Sequence, residues 1–216
     1  MTGAGEWGLE SGSTCGCRSL PAKNQSFRCE ELRGATPLSH LFLRERVRPG
    51  NRVVDATCGN GHDTLLLAEL VGPHGKVWGF DIQQESLVAT ATLLEAAGCR
   101  DRVELVPAGH EQIAQYVSGP LDAVIFNLGY LPGGDKTRVT RPRETLAALA
   151  QGAELLAPGG RICIVLYTGH PGGGEEADAV DSWAAGLSPK EYHVWRCRQM
   201  NRSAAAPYQL LVEKAS

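Results

Sequence analysis

Three short segments carry residue types able to hold a charged nucleoside and present a nucleophile to it. The first is Val53-Val54-Asp55-Ala56-Thr57-Cys58-Gly59-Asn60-Gly61-His62-Asp63-Thr64, an apolar run that ends in a carboxylate and enters a glycine turn. Glycines at 59 and 61 let backbone pass close to a ligand, where a Cβ would collide. The same spacing also serves a tight strand-to-helix turn with no ligand at all. The second is Phe80-Asp81, with Asp81 placed 20 residues beyond Gly61. A carboxylate at the end of a second parallel strand can accept both hydroxyl protons of a ribose. The dinucleotide fingerprint wants a third glycine at position 64, which here is Thr64, so the turn suits a pyrophosphate poorly. Asp55, Asn60 and Asp63 line it instead and favour a positively charged ligand, such as the sulfonium and ammonium of S-adenosylmethionine. Asp63 equally suits a first-turn helix carboxylate, and the two roles are compatible.

The third segment is Asn127-Leu128-Gly129-Tyr130-Leu131-Pro132-Gly133-Gly134-Asp135-Lys136, which follows a buried apolar run. An amide, an aromatic and a proline at this strand end resemble the N-P-P-Y element of amino-group methyltransferases. Methyl transfer from a sulfonium is a direct displacement, so the protein mainly aligns nucleophile, methyl and sulfur. Asn127 can accept a proton from an amine and hold its lone pair toward the methyl, while Tyr130 can stack on a nucleobase. Gly109 and His110, after the third strand, are candidates for the adenine edge. His170, in the glycine-rich Tyr167–Glu176 turn expected to be flexible, is a candidate for substrate contact. Helix capping or loop polarity accounts equally well for either histidine. Two basic groups, Lys136/Arg138/Arg141/Arg143 and Arg196/Arg198/Arg202, suit a phosphate backbone on a chain that is net acidic.

These segments need a frame that brings strand ends together. Short apolar runs at 52–54, 77–80, 103–106, 123–126 and 161–167 alternate with helix-period segments at 64–71, 84–97, 110–117 and 142–156. That alternation predicts βαβ units and a parallel sheet. Runs at 193–197 and 208–213 are joined without a helix and predict a closing antiparallel hairpin. The expected fold is α/β and Rossmann-like, with a seven-stranded, mostly parallel sheet. Thr36-Pro37 predicts a helix opening, with proline at the first helical position. Glu175-Glu176 are expected to open the helix after the fifth strand. Residues 1–34 read as a flexible leader and 35–216 as the folded domain.

Composition narrows the classes further. Of 216 residues, 43% are hydrophobic and 21% charged, with a net charge of -3. No apolar stretch approaches the roughly 18 residues of a membrane span, and no signal-peptide pattern appears, so the expected location is cytoplasmic. The seven cysteines lack zinc-site spacing, so no metal is expected. Cys58, Cys99, Cys163 and Cys197 fit reduced thiols in or beside a core, and Cys15, Cys17 and Cys29 fit ordinary exposed thiols.

Together, Asp55-Ala56-Thr57, Gly59 to Thr64, Phe80-Asp81-Ile82-Gln83, Asn127 to Lys136 and Tyr167-Thr168-Gly169-His170 resemble the YtqB/MnmM family of class I S-adenosylmethionine-dependent methyltransferases, also labelled rRNA methylases. The resemblance covers about residues 36–214. It implies methylation of the 5-aminomethyl group of a 2-thiouridine at the tRNA wobble position, and hence tRNA, through its anticodon region, as partner. It implies cofactor contact by Asn60, Asp63, Asp81, Gln83 and His110, beside Asp55, Gly59, Gly61 and Gly109 in the same turns. It implies that the 127–136 loop (Leu131, Pro132, Gly133, Asp135 and Lys136 included) frames the modified base, with Asn201 in a segment that closes over it. A homodimer is compatible with the sequence. Competing readings are an rRNA or small-amine methyltransferase, a NAD-dependent oxidoreductase and a non-catalytic RNA-binding module.

Overall fold

Consecutive residues of the central strands face opposite sides of a single sheet, and each side is covered by helices. In the computed structural model, which describes residues 32–129 and 140–216, the strands are β1 (Arg52–Asp55), β2 (Lys76–Phe80), β3 (Val103–Val106), β4 (Leu121–Leu128), β5 (Leu156–Leu166), β6 (Tyr192–Cys197) and β7 (Tyr208–Lys214). The helices are α1 (Ala35–Arg46), α2 (His62–Val71), α3 (Gln84–Ala96), α4 (Ile113–Tyr116), α5 (Pro142–Leu155) and α6 (Gly173–Ala185). Val54, Phe80, Phe126, Ile162 and Ile164 point to one face with Leu149 of α5 and Val180 of α6. Val53, Val77, Ile125 and Cys163 point to the other with Leu43 of α1 and Leu67 of α2. This period of two, buried on both faces, is why the strands read as continuous apolar runs. Each such fully buried side chain contributes roughly 1.5–3 kcal/mol of transfer free energy.

The strand order is β3-β2-β1-β4-β5-β7-β6. β1 to β5 run parallel, and β7 lies antiparallel between β5 and β6. The expected seven-stranded sheet is present, and the hairpin inserts its last strand next to β5. The order reverses between β1 and β4, which opens a crevice at their carboxyl ends.

Four elements depart from the sequence reading, one of them β5, which starts at Leu156 rather than at the expected Arg161. α1 begins at Ala35 with Gly34 as its uncapped flank, so Pro37 sits third in the helix. It is tolerated there because the first-turn N–H it lacks has no intrahelical partner. Thr36 instead hydrogen-bonds Tyr167 Oη at 3.0 Å. The segment expected as a helix over 110–117 is a 3₁₀ turn, His110–Gln112, followed by the single turn α4. Gln151 of α5 replaces the helical ladder: its Oε1 accepts from Ala114 N at 2.8 Å and its Nε2 donates to Glu111 O at 2.6 Å. The turn after β5 is shorter than expected, because α6 opens at Gly173 behind a left-handed Gly172.

α1 is fastened across the sheet. Arg46 donates to Gly159 O at 2.7 Å and to Asp122 at 3.2 Å, and Arg161 of β5 pairs with Glu45 and with Glu213 at 2.6 Å. Cys58, Cys99 and Cys163 are buried free thiols and Cys197 is half-buried, as the sequence indicated. Residues 1–31, including Cys15, Cys17 and Cys29, lie outside the described residues, so the leader is described only at its last three positions. Among the described residues no helix is long and apolar enough to cross a membrane.

Candidate functional site

The sheet register sets the site. Asp55 ends β1 opposite Gly79 of β2 on one side and Ile125 of β4 on the other. Asp81 lies two residues beyond Gly79, and Asn127 two residues beyond Ile125. Both therefore stand two residues past the same row, on the same carboxyl edge, about two strand spacings (roughly 10 Å) apart. β5 extends this edge, since Leu166 pairs with Leu128 and brings Tyr167 to His170 beside Gly129. The β6–β7 loop that holds Asn201 joins it through Thr168, which donates to Ala205 O at 3.1 Å. Asn201 itself is exposed on that loop.

Asp81 accepts from Gly59 N at 2.9 Å on one oxygen and from Gln83 N at 2.8 Å on the other. Each oxygen keeps a lone-pair direction for a further donor. Gln83 is half-buried, Asn60 exposed, and Ile82 between the two anchors stands 67% exposed. Ile82 offers an exposed apolar surface beside Asp81, which its sequence context gave no reason to single out.

The glycine turn is built differently from its sequence reading. Gly59 and Gly61 both have positive φ, at 52° and 83°. A Cβ on Gly61 would stand 2.9 Å from Thr90 Cα, so this glycine admits α3 rather than a ligand. Asp55, expected to face the cofactor, is fully buried beneath the turn and accepts from Thr64 Oγ1 at 2.6 Å and Thr57 N at 3.1 Å. Its part is to hold the turn, and Thr64 replaces the third glycine because the buried carboxylate needs that hydroxyl. Cys58 fills the space above Gly79, where a Cβ would lie 2.6 Å from its sulfur.

Burial, followed by the charge of Asp63, pushes the Asp55 carboxyl up to about 7. The fold thus binds a proton that the unfolded chain, near its ordinary 3.8, releases. Stability from this group is full below the unfolded value and is lost as pH rises toward 7. Asp55→Asn, always neutral, is expected to gain Tm over wild type by several degrees between about pH 5 and about pH 8. Thermal melts showing a constant gap across that window would refute the assignment. His110 contributes equally to both proteins, so it drops out of the comparison.

His110 is buried against Phe126, ring edge to ring face at 5.8 Å, and desolvation lowers its pKa below the ordinary value. It is a neutral, inward ring behind the turn, and Gly109 before it has an ordinary negative φ of -71°. Asp63 is buried at the start of α2 and joins two elements. One oxygen bonds His40 Nε2 of α1 at 2.6 Å, and the other accepts from the Asn127 side-chain amide. Asn127 N is held by Thr57 Oγ1 at 2.8 Å. Asn127 Oδ1 is shielded from water and has no hydrogen-bond partner among the described residues. His40 was not legible as a site residue, because its α1 segment shows only an apolar period.

Tyr130, Leu131, Pro132, Gly133, Asp135 and Lys136 lie outside the described residues, as does Arg138. The chain returns at Thr140, which donates to Glu176 at 2.6 Å; Thr145 bonds the other oxygen at 2.6 Å. The arginines near the hairpin are partly engaged. Arg196 pairs with Asp181, and the guanidinium groups of Arg196 and Arg198 lie 5.3 and 4.7 Å over Tyr208. With Arg33, Arg202 and Tyr167 they line a groove between the start of α1 and the β6–β7 loop. Among the described residues no group of three or more His, Cys, Asp or Glu could hold a metal ion.

Comparison with known proteins agrees with this architecture. Residues 77–213 match the sequence family described as "Putative rRNA methylase". A chloroplastic tRNA (mnm(5)s(2)U34)-methyltransferase of Arabidopsis thaliana is 37% identical over 181 residues, 79% of this chain; the chain spans 66% of that relative's length. The crystal structure of a "putative rRNA-methylase" from Clostridium thermocellum superposes with a TM-score of 0.82 at 41% identity, covering 84% of this chain and 97% of that one. A "putative methyltransferase" from Streptococcus mutans, solved in complex with SAH, gives 0.77 at 36% identity over 83% and 97% of the two chains. A seven-stranded methyltransferase sheet with its polar groups gathered at the β1–β4 crevice, matched over most of its length, places the chain in the rRNA methylase family of class I methyltransferases.

Proposed function

We propose that residues 35–216 form an S-adenosylmethionine-dependent N-methyltransferase acting on the 5-aminomethyl group of a wobble-position (2-thio)uridine in tRNA, giving 5-methylaminomethyl-2-thiouridine. The observation that carries the reading is the pairing of Asp81 with Asn127 across the switch-point crevice. One is a carboxylate with lone pairs to spare for a ribose, and the other a half-buried amide whose oxygen lacks a donor among the described residues. The name of the plant relative and the SAH held by the Streptococcus structure support the substrate and the cofactor.

In this reading Asp81 grips the ribose hydroxyls, and Asn60, Gln83 and Ile82 surround the nucleoside. Asn127 Oδ1 accepts one N–H of the neutral amine and turns its lone pair toward the methyl. The nitrogen lone pair forms the new C–N bond as the C–S bond breaks, and sulfur leaves neutral with that electron pair. The secondary ammonium so formed releases its extra proton to solvent. Tyr130 to Lys136, with His170 and Asn201 from the neighbouring loops, frame the base, and Arg198 and Arg202 meet the phosphate backbone.

The test is transfer of labelled methyl to three acceptors: tRNA bearing 5-aminomethyl-2-thiouridine, the same tRNA unmodified, and rRNA. Nucleoside mass spectrometry is expected to find the methylaminomethyl product in the first alone. Label entering rRNA, or none entering the aminomethylated tRNA, would overturn the assignment.

A further inference from the structure

We infer that His40 and Asp63 are positioning residues: through the hydrogen-bonded chain His40–Asp63–Asn127 they fix which end of the Asn127 amide faces the substrate amine. This inference rests on the proposed role of Asn127 in orienting that amine.

A side-chain amide has two ends of nearly equal shape and opposite hydrogen-bonding sense. Rotated by half a turn, Asn127 would offer N–H to an amine that already carries N–H, and the lone pair would not be directed at the methyl. A carboxylate can only accept, so its contact with the amide selects the nitrogen end and leaves Oδ1 as the acceptor for the amine. Asp63 makes that contact with one oxygen, while its other oxygen takes His40 Nε2 at 2.6 Å. The second bond fixes the carboxylate plane, which would otherwise rotate about its own χ2. All three groups are at least partly buried, with side-chain exposures of 18% for His40 and 11% for Asp63. His40 in turn has a fixed origin, because α1 is tied at one end through Thr36 to Tyr167 and at the other through Glu45 and Arg46 to β5 and its neighbours. Asn127 Oδ1 has no hydrogen-bond partner among the described residues and so keeps an acceptor to offer. A contact serving only to attach α1 would not need to end on the amide of the amine-facing residue.

The test compares His40→Leu, which removes the donor, with His40→Gln, whose amide nitrogen can reach the same oxygen. Turnover is measured at saturating aminomethylated tRNA and S-adenosylmethionine, and cofactor affinity by calorimetry. His40→Leu is expected to lower kcat about tenfold with cofactor Kd changed less than about twofold, and His40→Gln to restore most of kcat. Wild-type kcat in His40→Leu, equal losses in both variants, or a loss lying wholly in cofactor affinity would each overturn the inference. Should His40→Leu fail to fold, the wild-type protein still decides. The Asn127 side-chain amide, assigned by its disappearance in Asn127→Ala, is expected to show one downfield, exchange-protected proton by NMR. An ordinary solvent-exposed pair would overturn the inference. Normal turnover in Asn127→Ala would remove the role of Asn127 itself. Impaired Asn127→Ala with normal His40→Leu would remove only the positioning chain.

Discussion

Asn127→Ala is expected to lower kcat by about 10² to 10³-fold while leaving the S-adenosylmethionine Kd within about twofold of wild type. The size follows from what the residue does in the displacement. Attack on a methyl carbon requires the nitrogen lone pair in line with the C–S bond, and a free aminomethyl group rotates about two single bonds. Oδ1 supplies an acceptor at a defined place, held there by Thr57 through the backbone and by Asp63 through the amide. Alanine deletes the acceptor but leaves the strand and its bond to Thr57 intact, so the fold and the nucleoside side of the crevice should not change. Asn127→Asp is a sharper probe. Its carboxylate would face Asp63 across a hydrogen-bond distance, and like charges there would turn the side chain away or favour the ammonium, which has no lone pair to give. Single-turnover kinetics with preformed cofactor complex separate this step from binding. A normal single-turnover rate in Asn127→Ala would end the proposed role.

How much of this was legible beforehand depended on the range of the interaction. β1, β2, β4 and the second half of β5 were legible because strands buried on both faces need apolar residues at nearly every position, and that need is local. β3, at the sheet edge, showed through Val103, Leu105 and Val106 despite the exposed Glu104. Asp81 and Asn127 were legible because parallel strands deliver their ends to one edge whatever the intervening helices do. What the sequence hid was set by contacts between distant segments. A carboxylate ending a strand reads the same whether it meets a ligand or lies beneath the turn, and only the position of Thr64 over Asp55 decides between them. Gly61 looked like room for a ligand but is room for Thr90 of α3. The break at α4 follows from Gln151, 37 residues away from the N–H it captures. His40 meets Asp63 only because Arg46 and Arg161 lay α1 across the sheet, and charge pairs of that kind leave no periodic trace. The arginines of the hairpin read as a bare basic patch, yet Tyr208 and Asp181 already hold two of them.

Asp81→Ala is expected to weaken S-adenosylmethionine binding about 100-fold, with a parallel loss for the demethylated product and little change in kcat at saturating cofactor. Two bonds from ribose hydroxyls to a charged acceptor would each be worth about 1.5–3 kcal/mol, and a hundredfold corresponds to about 2.7 kcal/mol. The estimate sits below the sum because water replaces part of what the carboxylate gave. Both oxygens of Asp81 already accept backbone N–H groups, from Gly59 and from Gln83. An amide at this position must therefore turn its NH₂ toward one of them. Asp81→Asn is thus expected to bind cofactor no better than Asp81→Ala, although it keeps an oxygen, because one donor confronts another and the Gly59 turn loosens. Asp81→Glu keeps both acceptors but moves them one methylene outward, and should recover only part of the affinity. Calorimetric titration of the three variants is paired with an analogue of the demethylated product that lacks both ribose hydroxyls, which distinguishes this account from one in which Asp81 merely fastens the turn. In that case the analogue would bind the wild-type protein as tightly as the product itself, and the ribose assignment would fall.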